Sequence, residues 1–108
     1  MSLPAEITVT ELKRMRDEGE DFTLLDVRED DELEIARLPF AKHVPMATVP
    51  DHLDELTKDG DIVVMCHGGT RSGRVAKYLR EQGYKSVANL RGGIDAWSEE
   101  IDSSIPTY

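Results

Sequence analysis

A single cysteine, Cys66, in a chain of 108 residues excludes an internal disulfide. It also excludes dithiol exchange of the C-x-x-C type and sensing through a resolving cysteine, because both need a second thiol. Long hydrophobic runs are missing as well: the longest, Ile62 to Cys66, has five residues and is far too short to cross a bilayer. The start, Met1-Ser2-Leu3-Pro4-Ala5-Glu6, has neither the basic stretch nor the apolar stretch of a secretion signal. These features predict a cytoplasmic protein without membrane attachment. Histidine is scarce, with only His43, His52 and His67, and their spacing with Cys66 matches no C-x-x-C or H-x-x-x-H site, so neither a metal nor a cofactor is expected. Repeats and low-complexity tracts are absent, and the length fits one domain spanning 1–108 with an extended tail after Ile101.

What is present is acidic charge, unevenly placed. Twenty-two acidic residues against thirteen basic ones give a net charge of -9, which repels nucleic acid and anionic membranes. Residues 62–94 reverse the balance, carrying six basic residues against one acid, and this block contains the cysteine. Arg71, Arg74, Lys77 and Arg80 would suit either a solvated helix face or the capture of a small anion. The acidic stretch from Asp26 to Ile35 reads as a solvated face, with a docking surface for a basic partner as the alternative.

Short β-branched runs at Ile7-Val9, Thr23-Val27, His43-Val44, Ile62-Cys66 and Ser86-Leu90 alternate with helical patterns. That alternation implies an α/β fold with a mainly parallel sheet covered by helices. Thr10 is the expected cap of a first helix with Leu12 and Met15 inward, and Asp30 to Ile35 makes one helical turn or two. Val49-Pro50 opens a helix carrying Leu53 and Leu56. Ser72 to Gln82 is the clearest helix, with Val75, Ala76 and Leu79 at core spacing. Gly92-Gly93 begins a last short helix carrying Trp97 as a core residue.

Cys66 ends an apolar strand of the kind buried on both faces, and the carboxyl edge of such strands is where open α/β sheets bind ligands. His67-Gly68-Gly69-Thr70-Arg71-Ser72 follows, and then a helix begins. Paired glycines let successive backbone N–H groups turn inward as an anion nest, and the helix N-terminus adds its partial positive charge at the same point. A thiol at the foot of this loop is expected to have a lowered pKa and to act as a nucleophile at neutral pH, with Arg71 adding to the effect. Ser72 is expected to cap the helix. His67, adjacent in sequence to the thiol, reads as a solvent-exposed ring with general-base duty as the alternative. Asp26 and Arg28 end a parallel strand and can reach the same crevice.

These residues resemble a family. Cys66-His67-Gly68-Gly69-Thr70-Arg71-Ser72 is similar to the C-x-x-G-x-R-S active-site loop of rhodanese-type sulfurtransferases. Leu24-Leu25-Asp26-Val27-Arg28-Glu29 resembles the family's L-[IL]-D-V-R-E strand end. Leu38-Pro39, then Ala41 and His43-Val44-Pro45, resembles its G-H-I-P-G-A-x-N-I-P segment, although Ala36, Arg37 and Phe40 replace the usual Gly, His and Gly. Leu90-Arg91-Gly92-Gly93-Ile94-Asp95-Ala96-Trp97 resembles its closing L-x-G-G-x-x-A-W.

The resemblance implies a rhodanese-like fold with a five-stranded sheet sandwiched by helices. It also implies transfer of sulfane sulfur from thiosulfate or a similar donor to cyanide, a thiol or a sulfur-carrier protein. In that scheme Cys66 holds the persulfide, residues 67–71 cradle it, Arg71 is catalytic, and Asp26 and Arg28 support the loop. Two other readings remain. Cysteine phosphatases and arsenate reductases use C-x-x-x-x-x-R, with five residues before the arginine, whereas four separate Cys66 from Arg71. A non-catalytic binding module is the third.

Overall fold

The computed structural model describes residues 2–108. Five strands, β1 (Glu6–Ile7), β2 (Thr23–Asp26), β3 (Lys42–His43), β4 (Asp61–Met65) and β5 (Ser86–Leu90), form one sheet in the order β1-β5-β4-β2-β3. Every pairing is parallel. Between the strands lie helices α1 (Val9–Asp17), α2 (Asp30–Ile35), α3 (Thr70–Glu81) and α4 (Gly93–Glu100), with a 3₁₀ stretch over Met46–Glu55. Among the described residues no helix is long and apolar enough to cross a membrane.

The alternation of side chains along a strand divides the core in two. Leu24, Val63, Met65, Ala88 and Leu90 face one side, where Leu12 and Met15 of α1 and Ile94 and Trp97 of α4 cover them. Leu25, Ile62, Val64, Cys66 and Val87 face the other, under Val75, Ala76 and Leu79 of α3. Leu12, Val63, Val64 and Leu79 are fully enclosed, and burying each such side chain contributes about 1.5–3 kcal/mol. The same alternation decides the placement of the thiol: it lies two positions beyond Val64, so it points to the α3 face.

Three local expectations shift. The cap of α1 is Thr8, whose hydroxyl accepts the Glu11 N–H at 3.2 Å, so Val9 begins the helix instead of ending β1. Thr8 and Thr10 are chemically equal caps. The register is decided by burying Val9, Leu12 and Met15 together, one helical face spaced three apart. The helix expected to open at Pro50 is a 3₁₀ stretch beginning four residues earlier at Met46, with non-helical backbone at His52. Ser72 lies inside α3, whose N-cap is Gly69 at φ +111°, a left-handed conformation that favours glycine.

The segment in which Ala36, Arg37 and Phe40 replace the usual family residues is well anchored. Ala36 is buried in extended backbone, and its carbonyl accepts Arg28 Nη2 at 2.8 Å. Phe40 packs against Trp97 with ring centroids 5.8 Å apart, and the Arg16 guanidinium lies over the Phe40 ring, 3.9 Å from its centroid. The larger side chain therefore ties this segment to α1 and α4.

Candidate active site

β2 and β4 are neighbours, yet the chain leaves them in opposite directions, from β2 outward to β3 and from β4 through α3 to β5. A crevice forms at such a reversal, at the carboxyl ends of the strands. Asp26 pairs in register with Met65, so Asp26 and Cys66 arrive at the same crevice from adjacent strands.

Cys66 is almost wholly enclosed, at 1% exposure. Its Sγ receives the Gly69 N–H at 3.1 Å and lies 3.3 Å from Ser72 Oγ. Burial pushes the thiol pKa up, while the Ser72 hydroxyl and the backbone N–H groups of Ser72, Gly69 and Arg71 pull it down, and the net direction is downward. These donors converge because Gly69 turns the chain with positive φ, leaving the first N–H groups of α3 unpaired within the helix and aimed at the sulfur.

Ser72 belongs to a wider arrangement. Its hydroxyl also lies 2.6 Å from Asn89 Oδ1, and Asn89 Nδ2 donates to the Gly69 carbonyl at 3.1 Å. One hydroxyl carries one proton. With the thiol neutral, the proton goes to Asn89 while the S–H points at Ser72 Oγ; with the thiolate formed, the hydroxyl is placed to turn toward sulfur.

Arg71 donates through Nη1 and Nη2 to the two carboxylate oxygens of Glu32, at 2.7 and 2.8 Å. Its charge is therefore shared with an acid, and the part of Arg71 that reaches the thiol is its backbone N–H. The Arg71 guanidinium holds the Glu32 carboxyl well below its usual range, at about 2. Glu32 also accepts the Glu29 N–H at 2.9 Å, capping α2. The acidic stretch is thus only partly a solvated face, for Asp26 and Glu32 turn inward toward arginines.

Arg28 is fully buried and grips Asp26 through Nε at 3.0 Å and Nη2 at 2.8 Å. Its remaining donors reach the Ala36 carbonyl and the Tyr108 hydroxyl, at 2.8 and 2.9 Å. Removing one partner of a buried pair of this kind leaves an uncompensated charge at a cost of about 3–5 kcal/mol. The pair is thereby held at the carboxyl end of β2, next to β4. His67 is one-third exposed and stacks on Tyr108, and its Nε2 lies 3.7 Å from Asp95 Oδ1 without a hydrogen-bond partner. Gly68 has open space around it, and Thr70 begins α3. No group of three or more residues among those described could hold a metal ion.

The loop is closed from outside by the turn after β5. Ile94 N–H donates to the Cys66 carbonyl at 3.0 Å and Asp95 N–H to the His67 carbonyl at 3.1 Å. Gly93 is required by that approach, having φ +58° and no room for a side chain. The turn into α4 and the close approach to the loop are the same feature.

A family model described as a rhodanese-like domain matches residues 8–100. The chain belongs to the rhodanese-like family. It is similar to a putative sulfurtransferase, YtwF, of Bacillus subtilis, at 42% identity over 88% of this chain and 91% of that one. A sulfurtransferase of Allochromatium vinosum is 40% identical over 86% of this chain and 87% of its own length. Among solved structures, a rhodanese-like domain protein from Staphylococcus aureus superposes with a TM-score of 0.82 at 34% identity, covering 100% of this chain and 99% of that one. The α/β rhodanese-like fold expected from the motifs is the fold observed.

Three residues of the site escaped the sequence reading. Asn89 had a signal, being an amide between Ala88 and Leu90 in a strand buried along its whole length. Glu32 was hidden among neighbouring acids. Tyr108 lay in a tail with no periodic pattern.

Proposed function

We propose that this protein is a sulfurtransferase that takes sulfane sulfur from thiosulfate or a similar anionic donor and carries it as a Cys66 persulfide. The Cys66 thiolate attacks the outer sulfur of thiosulfate. A new S–S bond forms, the bond to the sulfonate sulfur breaks, and sulfite departs with the electron pair. A thiolate acceptor, on a small thiol or a sulfur-carrier protein, or cyanide then attacks the outer sulfur and regenerates the Cys66 thiolate. No cofactor enters this covalent exchange.

The observation that carries the reading is the convergence of the Gly69 N–H and the Ser72 hydroxyl on a buried sulfur at the start of α3. The same donors suit the thiolate and the terminal sulfur of the persulfide. His67, Gly68 and Thr70 complete the cradle. Arg71 orders it through Glu32 and adds to the positive field of α3, while Asp26 and Arg28 hold the adjacent floor. Its relatives' names support sulfur transfer in general, and the reading includes action in the cytoplasm as a single domain.

Four residues between Cys66 and Arg71 favour sulfur over phosphate. A phosphocysteine intermediate would bring three peripheral oxygens into the loop, where the Cys66 persulfide adds one sulfur atom, and each oxygen left unpaired in a buried site costs about 1–3 kcal/mol. Cys66→Ser tests the reading: serine fits the site but is a poor nucleophile toward sulfane sulfur, so thiosulfate:cyanide transfer should vanish in a folded variant. Substantial activity in folded Cys66→Ser would overturn it.

A further inference from the structure

Among the described residues Tyr108 is one of two large hydrophobic side chains left exposed, at 38%, yet it is held by three residues of the site. Its ring stacks on His67 with centroids 4.0 Å apart and planes 10° from parallel. Its hydroxyl accepts Arg28 Nη1 at 2.9 Å and donates to Glu32 Oε1 at 2.9 Å. His67 opens the loop and Arg71, bound to Glu32, ends it. The path His67–Tyr108–Glu32–Arg71 therefore closes one side of the rim around Cys66.

The segment that brings Tyr108 there is lightly attached. Ser98 Oγ holds the Ile105 carbonyl and Ile105 packs against the α1–α4 core, while Pro106 and Thr107 between them and the phenol are exposed. Stacking and two hydrogen bonds on a side chain more than one-third exposed make a contact that forms and releases readily. Nothing in the sulfur chemistry requires a phenol at this point.

From this arrangement we infer that Tyr108 is a specificity-determining residue, a clasp that sets the size of the group reaching Cys66. A small sulfur anion passes the closed rim, whereas a bulky acceptor thiol must first displace the Tyr108 ring from His67. The inference rests on the sulfur-transfer reading for its biological meaning, but the access it describes is a property of the fold.

Alkylation of Cys66 by iodoacetamide and by a fluorescein-bearing iodoacetamide compares two sizes of reagent with one chemistry. In Tyr108→Ala the ratio of the bulky to the small rate should rise about tenfold. Tyr108→Phe keeps the stack and loses the bridge to Arg28 and Glu32, so its ratio should fall between wild type and Tyr108→Ala. A ratio in Tyr108→Ala within about twofold of wild type, or a parallel change in both rates, would overturn the clasp. If Tyr108→Ala fails to melt cooperatively, Tyr108→Phe decides alone, and an unchanged ratio there overturns it. A raised ratio in a protein that forms no persulfide with thiosulfate would uphold the clasp and reject the sulfur-transfer reading; the converse pair of results would do the opposite.

Discussion

Gly93 and Cys66 touch through backbone: a Cβ on Gly93 would lie 2.4 Å from the Cys66 carbonyl oxygen and 2.4 Å from that of His67. Real side chains do not approach a carbonyl so closely, and at φ +58° an L-residue is strained in any case. The expected result for Gly93→Ala is a loss of about 2–4 kcal/mol in stability, because both a left-handed strain and a steric displacement are introduced. Any folded fraction should show slow Cys66 alkylation, since the loop carbonyls must move and carry the Gly69 and Ser72 donors with them. Urea denaturation with alkylation kinetics measures both; wild-type values for each would mean the β5–α4 turn does not buttress the loop.

Ser72→Ala removes the side-chain hydroxyl that lies 3.3 Å from the sulfur. The Cys66 pKa is lowered from its ordinary value partly by that hydroxyl, so the alkylation midpoint should rise toward the ordinary value in the variant. Asn89 Oδ1 also loses its donor, at a stability cost of about 1–3 kcal/mol. An alkylation pH profile identical to wild type would show that backbone N–H groups alone set the thiol's acidity.

The parts of the fold legible in the sequence were those in which neighbouring residues share a task. β4 was visible because Ile62, Val63, Val64 and Met65 are all enclosed, alternating between two cores. α3 was visible because Val75, Ala76 and Leu79 form one face. The Cys66 loop was visible because its glycines, thiol and helix start lie within seven residues. Contacts between distant segments were not visible: Glu32 meets Arg71 across 39 positions, and Tyr108 meets Arg28 across 80. Nothing local marks Glu32 among the acids beside it, because its role is decided by where β2 delivers α2 relative to α3. Ser72 was misread as a cap because a serine at a helix start ordinarily binds backbone; here Gly69 makes the turn and frees the hydroxyl for sulfur.

Glu32 gives the site a defined acid sensitivity. Its carboxyl is held down at about 2, against an unfolded value near ~4.3, so the folded state prefers it ionised. The stability it contributes is complete above the unfolded value and is lost as pH falls from there through the folded one. Glu32→Gln should therefore be less stable than wild type by about 1–2 kcal/mol at neutral pH, and the gap should close between pH ~4.3 and about 2. Urea midpoints measured across that range give the answer. A gap that stays constant with pH would mean the Arg71–Glu32 pair is not what links α2 to the loop.

The most direct measurement is the intact mass of the protein after incubation with thiosulfate, taken alongside an assay with an aryl phosphate. Wild type should gain the mass of one sulfur atom, lose it again on addition of cyanide with release of thiocyanate, and leave the phosphate ester untouched, while Cys66→Ser should gain nothing. Absence of the added sulfur, together with hydrolysis of the aryl phosphate by the unmodified protein, would contradict the assignment of Cys66 as a sulfur carrier.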